Sequence, residues 1–396
     1  MSVVYSRNRH VKLILRNCRR AWSFNSTPEG RLILAVASVR AEPINLNDLA
    51  ETTLDWPEVL EKAIACDLGP LLYHRLRDLP GVCRVPPAVV ERLKGNYQRH
   101  AARNLNLYTK LQEVRESFKR EEIPLILLKG AVLADLIYGN VALRPMRDVD
   151  ILVRRCDLDR VDKLLQQMGY ARNETFQTYQ WFRQFHHNIP YASADRSIIL
   201  ELHHHIVPPR APVTIPAEDL WEDACAVAIT NEKALVLSPE KFIVHLCVHL
   251  AYDDRFCRAL RALTDIAATI AFYNKSIDWT KFLSLVHAYG ASRSAHYALW
   301  IASRLVDAEV PVAVLERLAT ARGSSRLNDI LLKSILQRSI SSSANECSVI
   351  PAWIIKNICG EFLESAKTWQ AVAALMTRFP PQHAVRKFFK AVGRKS

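Results

Sequence analysis

The chain has 396 residues, 49% of them hydrophobic, and a mean hydropathy of −0.03, which excludes a disordered chain and a polytopic membrane protein. Lys and Arg total 53 against 40 Asp and Glu, a formal charge of +13. The excess lies at the two ends, which excludes a uniformly basic nucleic-acid scaffold. Residues 1–28 hold Arg7, Arg9, Lys12, Arg16, Arg19 and Arg20 with no acid, residues 365–396 hold Lys367, Arg378, Arg386, Lys387, Lys390, Arg394 and Lys395 with no acid, and the span between is balanced.

Residues 1–28 read as a basic arm. They are Arg-rich, as a transit peptide is, but lack the long apolar stretch and small-residue cleavage site of a signal peptide. No apolar run reaches the roughly 18 residues of a membrane span, and Leu32–Val39 is the longest candidate. The nine cysteines are scattered without a C-x-x-C pair, which fits packed thiols in a reducing, cytoplasmic setting.

Only 11 glycines point to a helix-rich protein. Trp56–Leu68 reads as a helix with Pro57 in its first turn, stopped at Gly69-Pro70 and restarted to about Leu76. A long helix follows from about Ala88 to Arg120, with Leu107, Leu111, Val114 and Phe118 on one stripe. The texture then changes. Ile123–Leu128 reads as a buried strand, Ala131–Tyr138 as a helix ended by Gly139, and Val149–Val153 as a second strand. Asp157–Met168 reads as a helix stopped by Gly169, and Ser197–His203 as a third strand. From Ser238-Pro239-Glu240 onward, through Trp279, Trp300 and the 326–337 stretch, helices return, with Ser339–Asn345 a polar loop. The expected architecture is α/β plus α, helix-dominated overall: a basic arm (1–28), a helical region (29–120), a small mixed-sheet core (121–236), a helical domain (237–379) and a basic tail (380–396).

The chemistry concentrates in Arg144-Pro-Met-Arg-Asp148-Val-Asp150-Ile-Leu-Val153. Period-two alternation puts Asp148 and Asp150 on one face, and two carboxylates that close call for a cation, Mg2+ being the natural oxygen-liganded resident and Mn2+ the substitute. Glu201 is an acid in mid-strand between Leu200 and Leu202, with His203 on its own face. If the two strands are neighbours, three carboxylates converge, as a two-metal phosphoryl-transfer site requires. Lys129-Gly130 sits at a strand-to-helix turn suited to phosphate, and Arg144 and Arg147 add charge for a nucleotide.

The histidines weigh differently. His245, His249 and Asp253 share a helix face, but Leu246 stands where a zinc protease carries its Glu, so they read as partly buried histidines bonded to neighbours or lining a nucleotide pocket. His203–His205 read as a fortuitous metal site, with only His203 and His205 on the face of Glu201 if the strand runs that far. Arg258, Arg261 and Asp265 follow, with Arg261–Asp265 a local pair or an Arg aimed at the triphosphate.

The run Leu128-Lys-Gly130, then Leu143–Val153, Gly169-Tyr170 and Leu200-Glu-Leu-His203, resembles the uncharacterised nucleotidyltransferase family of the DNA polymerase β superfold. Pro124, Ser238-Pro-Glu240, His245, His249, Asp265 and Asp278-Trp279 extend the likeness over most of residues 50–380. The resemblance implies that Asp148, Asp150 and Glu201 hold the metals and catalyse transfer of a nucleoside monophosphate from a nucleoside triphosphate to an acceptor hydroxyl. It implies Lys129, Gly130, Arg144, Arg147 and His203 as nucleotide contacts, and leaves the acceptor open between a small molecule, a peptide or protein, and a tRNA. Two positions depart from the pattern: Ala131 stands where the superfold has Ser, and His204 stands where the family is commonly aromatic. Two other readings fit the same residues. One is a non-catalytic member that binds nucleotide or a partner; the weaker one is a metal-dependent glycosyltransferase, which also uses Asp-x-Asp. The basic ends suit RNA or an acidic surface.

Overall fold

A computed structural model describes residues 27–39, 54–77, 85–172, 190–207, 211–254, 256 and 259–319. Both charge-rich ends, Arg258, the 326–337 stretch and Ser339–Asn345 lie outside the described residues.

Among the described residues, four helices precede the sheet. Helix α1 (Pro28–Ala37) opens under Thr27, whose hydroxyl accepts from Gly30 N, and α2 (Trp56–Ala65) opens under Asp55, which accepts from Glu58 N at 3.1 Å. The break after α2 comes earlier than the Gly-Pro pair predicts. Asp67 takes a left-handed φ of +56°, and Gly69 lies inside α3 (Gly69–Arg77). Packing explains the difference: a Cβ at Gly69 would stand 2.5 Å from Asn96 Oδ1 of the neighbouring helix, so this glycine serves close approach rather than termination. That neighbour is α4 (Pro87–Arg120), whose predicted stripe of Leu107, Leu111, Val114 and Phe118 is buried.

The α/β unit has more strands than its sequence signals. To β1 (Leu125–Leu127), β2 (Val149–Val153) and β5 (Ile199–His203) the fold adds β3 (Ala171–Arg172), β4 (Tyr191–Ala192), β6 (Cys225–Ile229) and β7 (Glu232–Val236). They form one mixed sheet in the order β3-β4-β5-β2-β1-β7-β6. The β6–β7 hairpin turns on Thr230 and Asn231, both at positive φ, without the Gly that usually announces such a turn. Helix α5 (Lys129–Val132) runs into a widened π-helical turn, Leu133–Ile137, before Gly139 at φ +60°. Helix α6 (Leu158–Gln167) ends before Gly169 at φ +83°, and α7 (Asp219–Glu222) is a short turn.

Helices α8 (Pro239–Tyr252), α9 (Ala259–Tyr273), α10 (Trp279–Ala288), α11 (Ser292–Leu305) and α12 (Val312–Leu318) pack on one another. Helix α9 also reaches α1 and the π-helical turn, so the helical regions on both sides of the sheet share one core. No described helix is long and apolar enough to cross a membrane. The described cysteines Cys66, Cys156, Cys225 and Cys247 are free thiols.

Candidate active site

The central strands bring the acids together. β2 and β5 run parallel in a register that sets Asp150 opposite Glu201 and Leu152 opposite His203. On both strands the alternate residues Val149, Ile151, Leu200 and Leu202 are buried apolar side chains, so the pleat sends the polar set to the other face. A carboxylate oxygen of Asp150, one of Glu201 and a ring nitrogen of His203 lie within 4.8 Å of one another, a group that can hold a metal ion.

Asp150 is the hub. Its Oδ1 accepts from Lys129 Nζ at 2.8 Å and from His203 Nε2 at 2.8 Å, and His203 Nε2 is also 3.6 Å from Glu201 Oε2. Burial alone would raise the Asp150 carboxyl; the Lys129 ammonium and His203 overcome it and hold it well below the usual carboxylate range. Burial likewise works against a charged Lys129 and a charged His203, and the facing carboxylates outweigh it, so both are driven upward. Asp148, one strand period before Asp150, has no hydrogen-bonded cation among the described residues. Burial, then the charges of Asp150 and Glu201, push it up to about 6. An acid strained upward beside two others is a site short of positive charge, and carboxylate oxygens with one imidazole suit Mg2+ or Mn2+.

The segment before β2 is held from outside. Asn104, fully buried on α4, donates to Val141 O at 2.5 Å and Arg144 O at 2.8 Å and accepts from Met146 N at 3.2 Å. Arg103 donates to Met146 O and Arg147 O, both at 3.0 Å. These residues carry no sequence motif. Their one signal is that Asn104 is a polar residue on the stripe of Leu107, Leu111, Val114 and Phe118.

Arg144 and Arg147 are placed differently from each other. Arg144 is buried and bound to Asp265 on α9, at 3.1 Å from Nη2 and 3.4 Å from Nε, while Tyr138 donates to the other Asp265 oxygen at 3.0 Å. Asp265 is therefore paired with Arg144 and not, as helix spacing suggests, with Arg261. Arg261 instead donates to Pro145 O at 3.2 Å and lies 3.8 Å from Asp67. Arg147 is exposed, and one of its nitrogens is 3.1 Å from each Asp67 oxygen. Gly130 is required by this arrangement: a Cβ there would meet Arg144 Nη1 at 2.8 Å and Met146 at 3.1 Å.

Helix α8 supplies a facing wall. His245 is buried, and burial, reinforced by the positive charges of Lys129, His249 and His203, keeps its ring neutral. Next along the helix, His249 lies 3.4 Å from Asp254 and 3.9 Å from Asp253, and the Asp253 charge acts on Lys129. The sequence pairing of His245, His249 and Asp253 on one face thus points toward the acid cluster. His205 does not join it: β5 ends at His203, and His205 Nε2 turns to Ile215 O at 2.5 Å.

No curated protein matches this chain. The solution structure of the antibiotic-resistance factor ANT(2'')-Ia is similar over 47% of this chain and 91% of that chain, at 12% sequence identity and a TM-score of 0.33. The model of the uncharacterised nucleotidyltransferases matches residues 52–307, a span that holds the whole sheet, the acid cluster and the α8 wall. With most of its length matched, the chain belongs to the uncharacterised nucleotidyltransferase family and is a nucleotidyltransferase enzyme.

Proposed function

We propose that the protein transfers a nucleoside monophosphate from a nucleoside triphosphate to an acceptor hydroxyl, with Asp148, Asp150 and Glu201 as its metal-holding acids. The observation that carries this reading is the register of β2 on β5, which sets Asp150 against Glu201 with Asp148 one period away. Mg2+ or Mn2+ held by these carboxylates, with His203 at their edge, would neutralise charge on the phosphates and favour the ionised acceptor oxygen. Glu201, half-open to solvent at 26% exposure, is the residue suited to take the acceptor's proton. The acceptor oxygen bonds to the α-phosphorus, the bond from that phosphorus to the β-phosphate oxygen breaks, and pyrophosphate leaves with the electron pair. Lys129 and the exposed Arg147 supply charge to the triphosphate. Arg144, committed to Asp265, holds the turn that carries Arg147 and packs over Gly130 next to Lys129.

The acceptor is a small molecule, a peptide or protein side chain, or a tRNA end. Incubating the full chain with Mg2+ and each labelled nucleoside triphosphate, against tRNA, total protein and metabolite fractions, tests the reading and sorts the acceptors. Label in one fraction identifies its class, and for RNA the basic ends predict a steep loss of transfer with added salt. No transfer to any fraction, together with no nucleotide binding by calorimetry, would overturn it.

A further inference from the structure

The Lys129 ammonium lies on the acid cluster itself. Its Nζ is 2.8 Å from Asp150 Oδ1, the two side chains are 14% and 5% exposed, and His203 occupies the same oxygen from the other strand. The backbone of Lys129 is turned into the left-handed region at φ +37°, a conformation that side chains other than Gly rarely hold. Its surroundings enforce it. Tyr108 donates to Ala131 O at 2.9 Å, and Arg144 and Met146 close over Gly130. The turn therefore aims a lysine, rather than the smaller residue its geometry favours, at the oxygen expected to receive a metal. A divalent ion at Asp150 Oδ1 would stand close to the ammonium already bonded to that oxygen, and the two like charges repel at close range in a buried site.

We propose that Lys129 is the resident counter-cation of the acid cluster, that it competes with the divalent ion for Asp150, and that the ion's arrival releases it to the nucleotide's phosphates. The proposal rests on the metal-dependent reading above. It makes metal and nucleotide binding mutually supporting, because the phosphates give the displaced ammonium a new partner and the coupling is reciprocal.

Two measurements on the full chain test it. Mn2+ binding without nucleotide, followed by electron paramagnetic resonance, is expected to be at least about ten-fold tighter in Lys129→Gln than in the wild type, with Lys129→Arg close to the wild type. In the unsubstituted protein, acetic anhydride labelling of Lys129, read by peptide mass spectrometry against exposed Lys119, is expected to rise several-fold when Mn2+ saturates the site. It is expected to fall again when a non-hydrolysable nucleoside triphosphate is added. Equal Mn2+ affinities, or unchanged Lys129 labelling at saturating Mn2+, would overturn the competition while leaving the metal site standing. Absence of Mn2+ binding in both proteins, with and without nucleotide, would overturn the metal site and the competition together.

Discussion

Arg144 and Asp265 form a buried ion pair, 3.1 Å from Nη2 to Oδ2, that joins the turn ahead of the acid strand to a helix of the C-terminal region. The pair is 121 residues apart in sequence, and Tyr138 completes it by donating to the second Asp265 oxygen. Removing one partner leaves the other buried and uncompensated, which costs about 3–5 kcal/mol. Asp265→Ala should lower stability by that amount in urea unfolding. Arg144→Met combined with Asp265→Leu should recover most of it, since two apolar side chains leave no orphaned charge.

Gly130 and Arg144 should behave as one unit. Gly130→Ala places a Cβ 2.8 Å from Arg144 Nη1 and should lower both stability and activity. In an Arg144→Ala background the added methyl meets open space on that side, so the two effects should be clearly less than additive. Unfolding and turnover of the two single variants and the double variant check this.

Asn104 should matter out of proportion to its distance from the acids. Asn104→Leu leaves two carbonyls and one N–H of the 141–146 turn without their side-chain partner, a loss of about 1–3 kcal/mol in chemical denaturation for each of these groups that stays unsatisfied. Turnover should fall further than stability accounts for, because the same turn delivers Asp148.

The acid cluster's own contribution to stability without metal should fall as pH rises. Asp148 has a folded value near 6, above its ordinary one, so the native state binds the extra proton and loses stability as pH climbs from about 4 through 6. His203 acts in the same direction: its folded value is raised, and its contribution fades as pH passes upward through that value. His245, held neutral by burial, acts in the opposite direction and gains stability as pH rises toward about 6.5. The Asp148 contribution is therefore read as the difference between wild-type and Asp148→Asn melts in chelator, which should favour the wild type more at pH 4 than at pH 7. Asp148→Asn should remove the part lost between pH 4 and 6 and melt slightly higher than the wild type at pH 8.

The acids were legible in the sequence because period two is strict: once Val149–Val153 and Ile199–His203 are strands with buried Val149, Ile151, Leu200 and Leu202, Asp148, Asp150, Glu201 and His203 share a face. What the sequence did not carry is pairing at long range. Asp265 reads as a helix neighbour of Arg261, and only the packing of α9 on the π-helical turn delivers it to Arg144. The short strands Ala171–Arg172 and Tyr191–Ala192 were illegible because two residues show no alternation, and the Cys225–Val236 hairpin because Thr230-Asn231 makes its turn without Gly. Lys129 was visible as a cation at a phosphate turn; its seat on Asp150 follows from a left-handed backbone that no pattern announces.

The most direct measurement is pyrophosphate release from Mg2+ and a nucleoside triphosphate, with the acceptor fraction present, for the wild type and for Asp148→Asn, Asp150→Asn and Glu201→Gln. The account predicts release and transfer by the wild type, loss of both on adding chelator, and turnover at background in Asp148→Asn while its melt stays intact. Full turnover in Asp148→Asn, or transfer that persists in chelator, would contradict it.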